Sequence, residues 1–161
     1  MRVRSIAEKD RPILHSILFR TQAFTSEEIT VAQELIDITL KDKKQKDYYI
    51  NCLVNEQDHC IGYICYGPAP MTQGTFDLYW IAVDPDFQKQ GVGLKLIEFL
   101  ERVIVKLNGR MILAETSTIP QYEKTKSFYL RAGFQEVERI PDYYRPGNDR
   151  VTFCKRLIEK R

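Results

Sequence analysis

Apolar and polar positions along this 161-residue chain follow two alternating periods. Over 2–6 the alternation suits a short strand, and over 10–20 Ile13, Leu14, Ile17 and Leu18 recur at helical spacing. A second helix opens near Thr25, where Thr25 and Glu28 have the spacing of a capping box. It carries Val31, Leu35, Ile38 and Leu40 on to the basic run 41–46, which reads as a solvated loop. Three β-rich segments follow at 48–54, 60–66 and 75–83, separated by the polar turn 55–59 and the Pro/Gly loop 67–74. Short connections of this kind predict an antiparallel meander.

In the second half, Ile97, Leu100, Ile104 and Leu107 form one stripe of a helix over 94–107, with Lys95, Glu98, Glu101 and Arg102 off it and Asn108-Gly109 as the stop. A strand at 111–116, a helix from about 121 to 132 ended by Gly133, and strands around 134–139 and 151–156 complete the pattern. Residues 141–149 read as a turn-rich loop. No internal repeat or linker interrupts the chain, so a single α/β (α+β) domain over 1–161 with a mixed sheet is expected.

Composition narrows the function. With 43% hydrophobic and 29% charged residues the chain is of ordinary globular type. A domain of this size buries roughly two thirds of its unfolded surface and needs no disulfide or metal to hold its core. Twenty-four basic residues against 22 acidic ones give +2, far from the basic field of a nucleic-acid binder. Cys52, Cys60, Cys65 and Cys154 fall at no metal-ligand or redox spacing and read as buried, reduced thiols. The N-terminal residues contain no apolar run and no segment has the length of a membrane span, so a cytoplasmic location is expected.

The chemistry centres on Gln88-Lys89-Gln90-Gly91-Val92-Gly93, between the strand ending at Val83, punctuated by Asp84-Pro85, and a helix beginning at about Gly91. Glycines at the first turn of a helix let the backbone approach a ligand, and the unpaired N–H groups there form an anion site suited to phosphate. A P-loop would follow Gly-Lys with Ser or Thr, whereas Leu94 follows Gly93. A dinucleotide fingerprint would place a third glycine where Leu96 stands and would sit in a βαβ unit. A tight strand-to-helix turn needs such glycines for steric reasons alone.

Taken with Trp80-Ile81-Ala82-Val83-Asp84-Pro85 before it and 94–100 after it, the loop resembles motif A of the GNAT superfamily of acyl-CoA-dependent N-acetyltransferases. That pattern is Gln or Arg, two free positions, Gly, one free position, then Gly or Ala, filled here by Gln88, Gly91 and Gly93. A second family motif, aromatic-Tyr, three residues, Gly-Phe, is matched by Phe128-Tyr129, Leu130-Arg131-Ala132 and Gly133-Phe134. The resemblance covers nearly the whole chain, the first half in element order only. It implies a mostly antiparallel sheet of six to seven strands flanked by about four helices, with the central strands ending at Val83 and Thr116 splayed apart. It also implies acetyl-CoA as cosubstrate, with no metal. The main chain of Ile81, Ala82 and Val83 would bind the pantetheine arm, and Gln88, Lys89, Gln90, Gly91, Val92 and Gly93 the pyrophosphate. The implied partners are acetyl-CoA and an amine of a small molecule or peptide; nucleic acid and membrane are not among them, and a homodimer is left open. Tyr122 departs from the pattern, standing where many members carry an asparagine.

Acyl transfer to an amine needs a neutral nucleophile, a stabilised oxyanion and a proton for the departing thiolate. Tyr129 occupies the family's general-acid position. A phenol near about 10 protonating a thiolate near about 8.5 runs about 2 kcal/mol uphill, and the plain alternative is a tyrosine that only packs. Asp77 shares a strand face with Tyr79 under unbroken alternation and resembles the strand carboxylate of the histone acetyltransferase branch. About six pKa units below a lysine ammonium, it would act as base through a water; the alternative is an ordinary satisfied carboxylate. An α-amino acceptor, at about 7.7 to 8.0, asks less of its base. Tyr66 and Tyr79 are reserve candidates for holding that water. Tyr143 and Tyr144 resemble the tyrosine pair with which protein N-terminal acetyltransferases hold a peptide, the alternative being a loop that packs on its own helix, and with Tyr79 they form the expected substrate contacts. His15 and His59 read as structural or solvent-facing. The implied activity is N-acetyl transfer by direct attack in a ternary complex. A protein N-terminal or lysine acetyltransferase and a non-catalytic acyl-CoA-binding module are the alternatives.

Overall fold

The computed structural model describes residues 1–157. Seven strands, β1 (Arg2–Ser5), β2 (Tyr49–Val54), β3 (Cys60–Pro68), β4 (Thr75–Val83), β5 (Met111–Ser117), β6 (Gln135–Arg145) and β7 (Asn148–Arg156), form one sheet in the order β1-β2-β3-β4-β5-β7-β6. Four helices accompany them: α1 (Arg11–Arg20), α2 (Ser26–Lys41), α3 (Val92–Lys106) and α4 (Glu123–Arg131). The pairing is mostly antiparallel; β4 and β5 are parallel, with the ladder running from Thr75 opposite Met111 to Leu78 opposite Ala114. β4 continues to Val83 and β5 to Ser117.

The chain falls into two compact units, Met1–Gly67 with Tyr79–Leu100, and Pro68–Leu78 with the chain from Glu101 onward. In the first unit, α1 and α2 lay Leu14, Ile17, Leu18, Ala32, Leu35, Ile36 and Leu40 against Ile50, Cys52, Val54, Cys60, Tyr63 and Cys65 of β2 and β3. The capping box holds: Thr25 Oγ1 accepts from the Glu28 N–H at 3.2 Å, and the Glu28 carboxylate accepts from the Thr25 N–H at 2.8 Å. Val31 and Ile38 do not belong to this buried stripe. Both are exposed, and Ala32 and Ile36, one and two positions away, take their place on the face that meets the sheet. All four cysteines are free and buried.

In the second unit, Tyr129 of α4 packs against Phe134 (5.2 Å between centroids) and lies over Phe153 of β7 (5.6 Å, interplanar 30°). Leu107 lies beyond the end of α3 and is exposed, so the stripe ends at the buried Ile104. The segment 141–149, expected as a loop, is instead mostly strand. β6 runs to Arg145, and Pro146-Gly147 makes the turn into β7. Pro141 is tolerated because β6 is an edge strand, where a missing donor breaks no ladder. The ladder slips between Ile140 and Arg145. Asp142 sits at that slip with φ 54°; its N–H donates to Asp149 (3.0 Å) and its carboxylate accepts from the Gly147 N–H (2.7 Å).

Among the described residues no helix is long and apolar enough to cross a membrane, and no cluster of His, Cys, Asp or Glu could hold a metal ion.

Candidate active site

The glycine loop belongs to the first unit. The Asp84 N–H donates to the Ile61 carbonyl (2.9 Å), which ties the end of β4 to β3. The nearly buried Asp84 carboxylate accepts from the Asp86 N–H at 3.0 Å and starts a single 3-10 turn at Pro85–Phe87. Arg20, at the end of α1, then bonds Asp84 (3.0 and 3.1 Å) and Asp86 (2.8 Å), so one guanidinium clamps the turn from which the loop departs. The Gln88 amide donates to the Val83 carbonyl and the Gln90 amide to the Asp86 carbonyl, both at 3.3 Å.

Two left-handed residues shape the loop itself, Lys89 (φ 60°) and Gly91 (φ 77°). Such residues turn successive backbone N–H groups toward one concavity. The first N–H groups of α3 have no carbonyl one turn earlier, and they add the positive end of the helix. A Cβ built on Gly91 would meet nothing within 4 Å, so the backbone there faces open space. Gly62 of β3 has the opposite environment. Its Cβ would stand 3.1 Å from Val92 Cγ1 and 3.2 Å from the Ala82 carbonyl, so its missing side chain admits the first turn of α3. On β4, Ala82 is buried while Ile81 and Val83 are half-buried. Tyr79 meets Tyr48 edge-on at 5.4 Å, and the Tyr66 hydroxyl donates to Asn51 at 3.0 Å. Burial, then Tyr49 and Cys65, push the Tyr66 phenol up to about 12.

The other candidates lie in the second unit. Tyr129 is buried, and its hydroxyl has no hydrogen-bond partner among the described residues. Burial raises its pKa well above the ordinary 10, so the phenol keeps its proton and is better suited to donate a hydrogen bond than to give the proton up. Asp77 is half-buried; burial first, and then the charge of Glu115, raise its pKa above the usual carboxylate value. That moves it toward the range of a useful base.

Glu115 was not anticipated from the sequence. Its Oε1 accepts from the Tyr144 hydroxyl at 2.8 Å and its Oε2 pairs with Arg150 Nε at 3.2 Å. The Tyr143 and Tyr144 rings meet edge to face at 4.9 Å, both about half exposed, and the Arg150 guanidinium lies 5.2 Å from the Tyr143 centroid. Asp77, Glu115, Tyr143, Tyr144 and Arg150 therefore form one electrostatic cluster in which acidic groups are framed by aromatic rings. Tyr122 is buried, in the 3-10 turn preceding α4.

Residues 47–136, more than half of the chain, match the family model of the acetyltransferase (GNAT) domain. A crystal structure of a GNAT-family protein from Desulfovibrio desulfuricans is 36% identical and superposes with a TM-score of 0.89, covering 96% of this chain and 98% of that one. The S-(2-succino)cysteine N-acetyltransferase of Bacillus subtilis is 27% identical over 103 residues, 62% of this chain and 61% of that protein, so the match spans less than two thirds of that relative. An aminoglycoside 6'-N-acetyltransferase solved with coenzyme A is 16% identical, covers 100% of this chain and 99% of that one with a TM-score of 0.76, and is similar in fold alone. GNAT enzymes use acetyl-CoA and an acceptor amine. With its seven-stranded, mostly antiparallel sheet, its four helices and its glycine loop at the entry of α3, this chain belongs to the GNAT acetyltransferase family.

Proposed function

We propose that this chain moves an acetyl group from acetyl-CoA to a primary amine of a small molecule or peptide, by direct attack in a ternary complex. The observation that carries the reading is the backbone at the entry of α3, left-handed at Lys89 and Gly91 and open over Gly91, in a chain whose family uses acetyl-CoA. The loop Gln88, Lys89, Gln90, Gly91, Val92 and Gly93 holds the pyrophosphate, with main-chain N–H groups from Lys89 onward as donors, since the Gln88 N–H is bonded to the Pro85 carbonyl, and the main chain of Ile81, Ala82 and Val83 binds the pantetheine arm.

In the transfer, the amine nitrogen bonds to the acetyl carbonyl carbon, the carbon–sulfur bond breaks, and the amine proton passes through a water to Asp77. Tyr129 donates its hydroxyl hydrogen to the leaving sulfur, stabilising the thiolate mainly by hydrogen bonding, since burial makes full proton transfer more costly. Tyr79, Tyr143 and Tyr144 contact the acceptor, and Glu115 fixes Tyr144. No acetylated enzyme forms.

Relatives are named for N-acetyl transfer to very different acceptors, so family membership leaves the acceptor to the side chains. Thiol release from acetyl-CoA across amino acids, polyamines, aminoglycosides and peptides tests the reading, with Tyr129→Phe alongside. Turnover on at least one amine and a slower Tyr129→Phe are expected. Acetyl-CoA binding with no turnover on any amine would make the chain a binding module instead, and an acetyl-enzyme burst would overturn direct transfer.

A further inference from the structure

The register of β5 against β7 sets Ser117 opposite Arg150 and Glu115 opposite Thr152. Opposed residues, and residues two apart, share a face of a sheet, so Glu115, Ser117 and Arg150 point the same way. Three polar atoms on this face are buried without a hydrogen-bond partner, Ser117 Oγ, Arg150 Nε and Asn148 Oδ1; the first two are donors and Asn148, two positions before Arg150 on β7, offers an acceptor. The Glu115 carboxylate is 3.2 Å from Arg150 Nε but outside hydrogen-bond geometry, so it balances charge without satisfying the donor. Tyr143 holds the guanidinium through its ring, 5.2 Å from the centroid. Glu138 is the other charge acting on it.

Side-by-side unsatisfied donors on neighbouring strands are unusual, because folded chains leave few buried polar groups unpaired. A hydroxyl and a planar guanidinium fork together suit a carboxylate, which accepts several hydrogen bonds at once. The next residues on the same face supply the opposite charge: Glu115, two positions from Ser117 on β5, and Asp77, which feels the charge of Glu115. A purely cationic acceptor would use the acidic half and be repelled by Arg150. An acceptor with both signs would use the whole cluster.

We infer that Arg150 and Ser117 bind a carboxylate of the acceptor beside the acidic group that receives its ammonium, so that the substrate is an amine carrying a carboxylate, as in a free amino acid or a peptide with a nearby acidic group. This rests on the reading that the Tyr143, Tyr144 and Glu115 cluster receives the acceptor.

The test compares kcat/KM for matched acceptors, L-alanine with L-alaninamide, glycyl-alanine with its amide, and 4-aminobutyrate with 4-aminobutyramide. Concentrations are expressed as neutral amine, which removes the difference in amine pKa within each pair. Wild type is expected to favour the carboxylate member of at least one pair by about tenfold or more, mainly through KM. Arg150→Gln is expected to bring that ratio to about one, Arg150→Lys to restore part of it, and Ser117→Ala to lower it by about threefold. A wild-type ratio of about one in every pair overturns the inference without needing any variant to fold. A ratio that survives in a folded Arg150→Gln overturns it as well. If wild type turns over the amides and polyamines alone, the acceptor reading stands and the carboxylate site falls. If acetyl-CoA binds and no amine is acetylated, the acceptor reading falls and the inference with it.

Discussion

The Tyr144 hydroxyl donates to Glu115 Oε1 at 2.8 Å, a bond from the edge strand β6 to β5 that passes over the intervening β7. It makes the exposed end of the hairpin part of the cluster around Asp77. Tyr144→Phe keeps the ring and removes only this donor. A hydrogen bond to a charged group contributes about 1.5–3 kcal/mol, and the half-exposed position argues for the lower end. The expected outcome is a loss of about tenfold in acceptor kcat/KM, with acetyl-CoA affinity by calorimetry unchanged.

Gly91 and Gly62 should respond to substitution in opposite ways. At Gly91 a methyl group has room but φ is 77°, a region that costs an L-residue about 1–2 kcal/mol. Gly91→Ala is expected to fold, melt slightly lower and bind acetyl-CoA more weakly. At Gly62 the backbone is ordinary but the space is filled by Val92 and the Ala82 carbonyl. Gly62→Val is expected to cost about 1–3 kcal/mol by overpacking, read as a lower urea midpoint.

Asp77 gives a pH signature. Burial, then Glu115, raise its folded-state pKa above the ordinary 3.8, so ionisation favours the unfolded chain. Its penalty is absent below the unfolded value and grows as pH rises through the folded one. Asp77→Asn is therefore expected to melt higher than wild type at neutral pH and equally at pH 3. In activity, the acid limb of wild-type kcat/KM should lie above the usual carboxylate range, and Asp77→Asn should lower kcat itself.

Arg4 and Asp10 make the reverse case. Burial alone would raise the pKa of the fully buried Asp10, but the Arg4 fork (2.6 and 3.0 Å) and the Ala7 N–H (2.8 Å) outweigh it and leave the carboxyl below its ordinary value. The pair therefore stabilises the fold above the unfolded pKa, and that contribution is lost as pH falls through the folded one. Arg4→Met strands a buried charge and is expected to cost about 3–5 kcal/mol at neutral pH, with much of the deficit gone in acid. Urea titrations at both pH values check this.

What the sequence made legible was local. Thr25 and Glu28 are three residues apart, Gln88, Gly91 and Gly93 fall within six consecutive residues, and each pattern carries its own geometry. What it hid were partners brought together by the fold. Arg20 lies 64 residues from Asp84 and Tyr144 29 from Glu115, and neither pair has a spacing that marks it. Gly62 looked like any strand glycine until α3 was placed over it. The two strands of the β6–β7 hairpin are legible in the sequence, but its distal part, 141–149, reads as a loop because Pro141, Asp142 and Gly147 are turn formers by propensity. Edge pairing and a slipped register absorb the first two, leaving the third for the actual turn.

The boundaries of the two units at 67/68, 78/79 and 100/101 have a consequence for how the protein is made. Neither unit is a continuous stretch of polypeptide. On the ribosome the first cannot close until residue 100 has emerged, by which time the opening segment of the second is already out and waiting for β5. A truncation at residue 67 thus cuts off both β4 and the glycine loop, and shorter expression fragments should be sought by deletion within surface turns rather than at a midpoint.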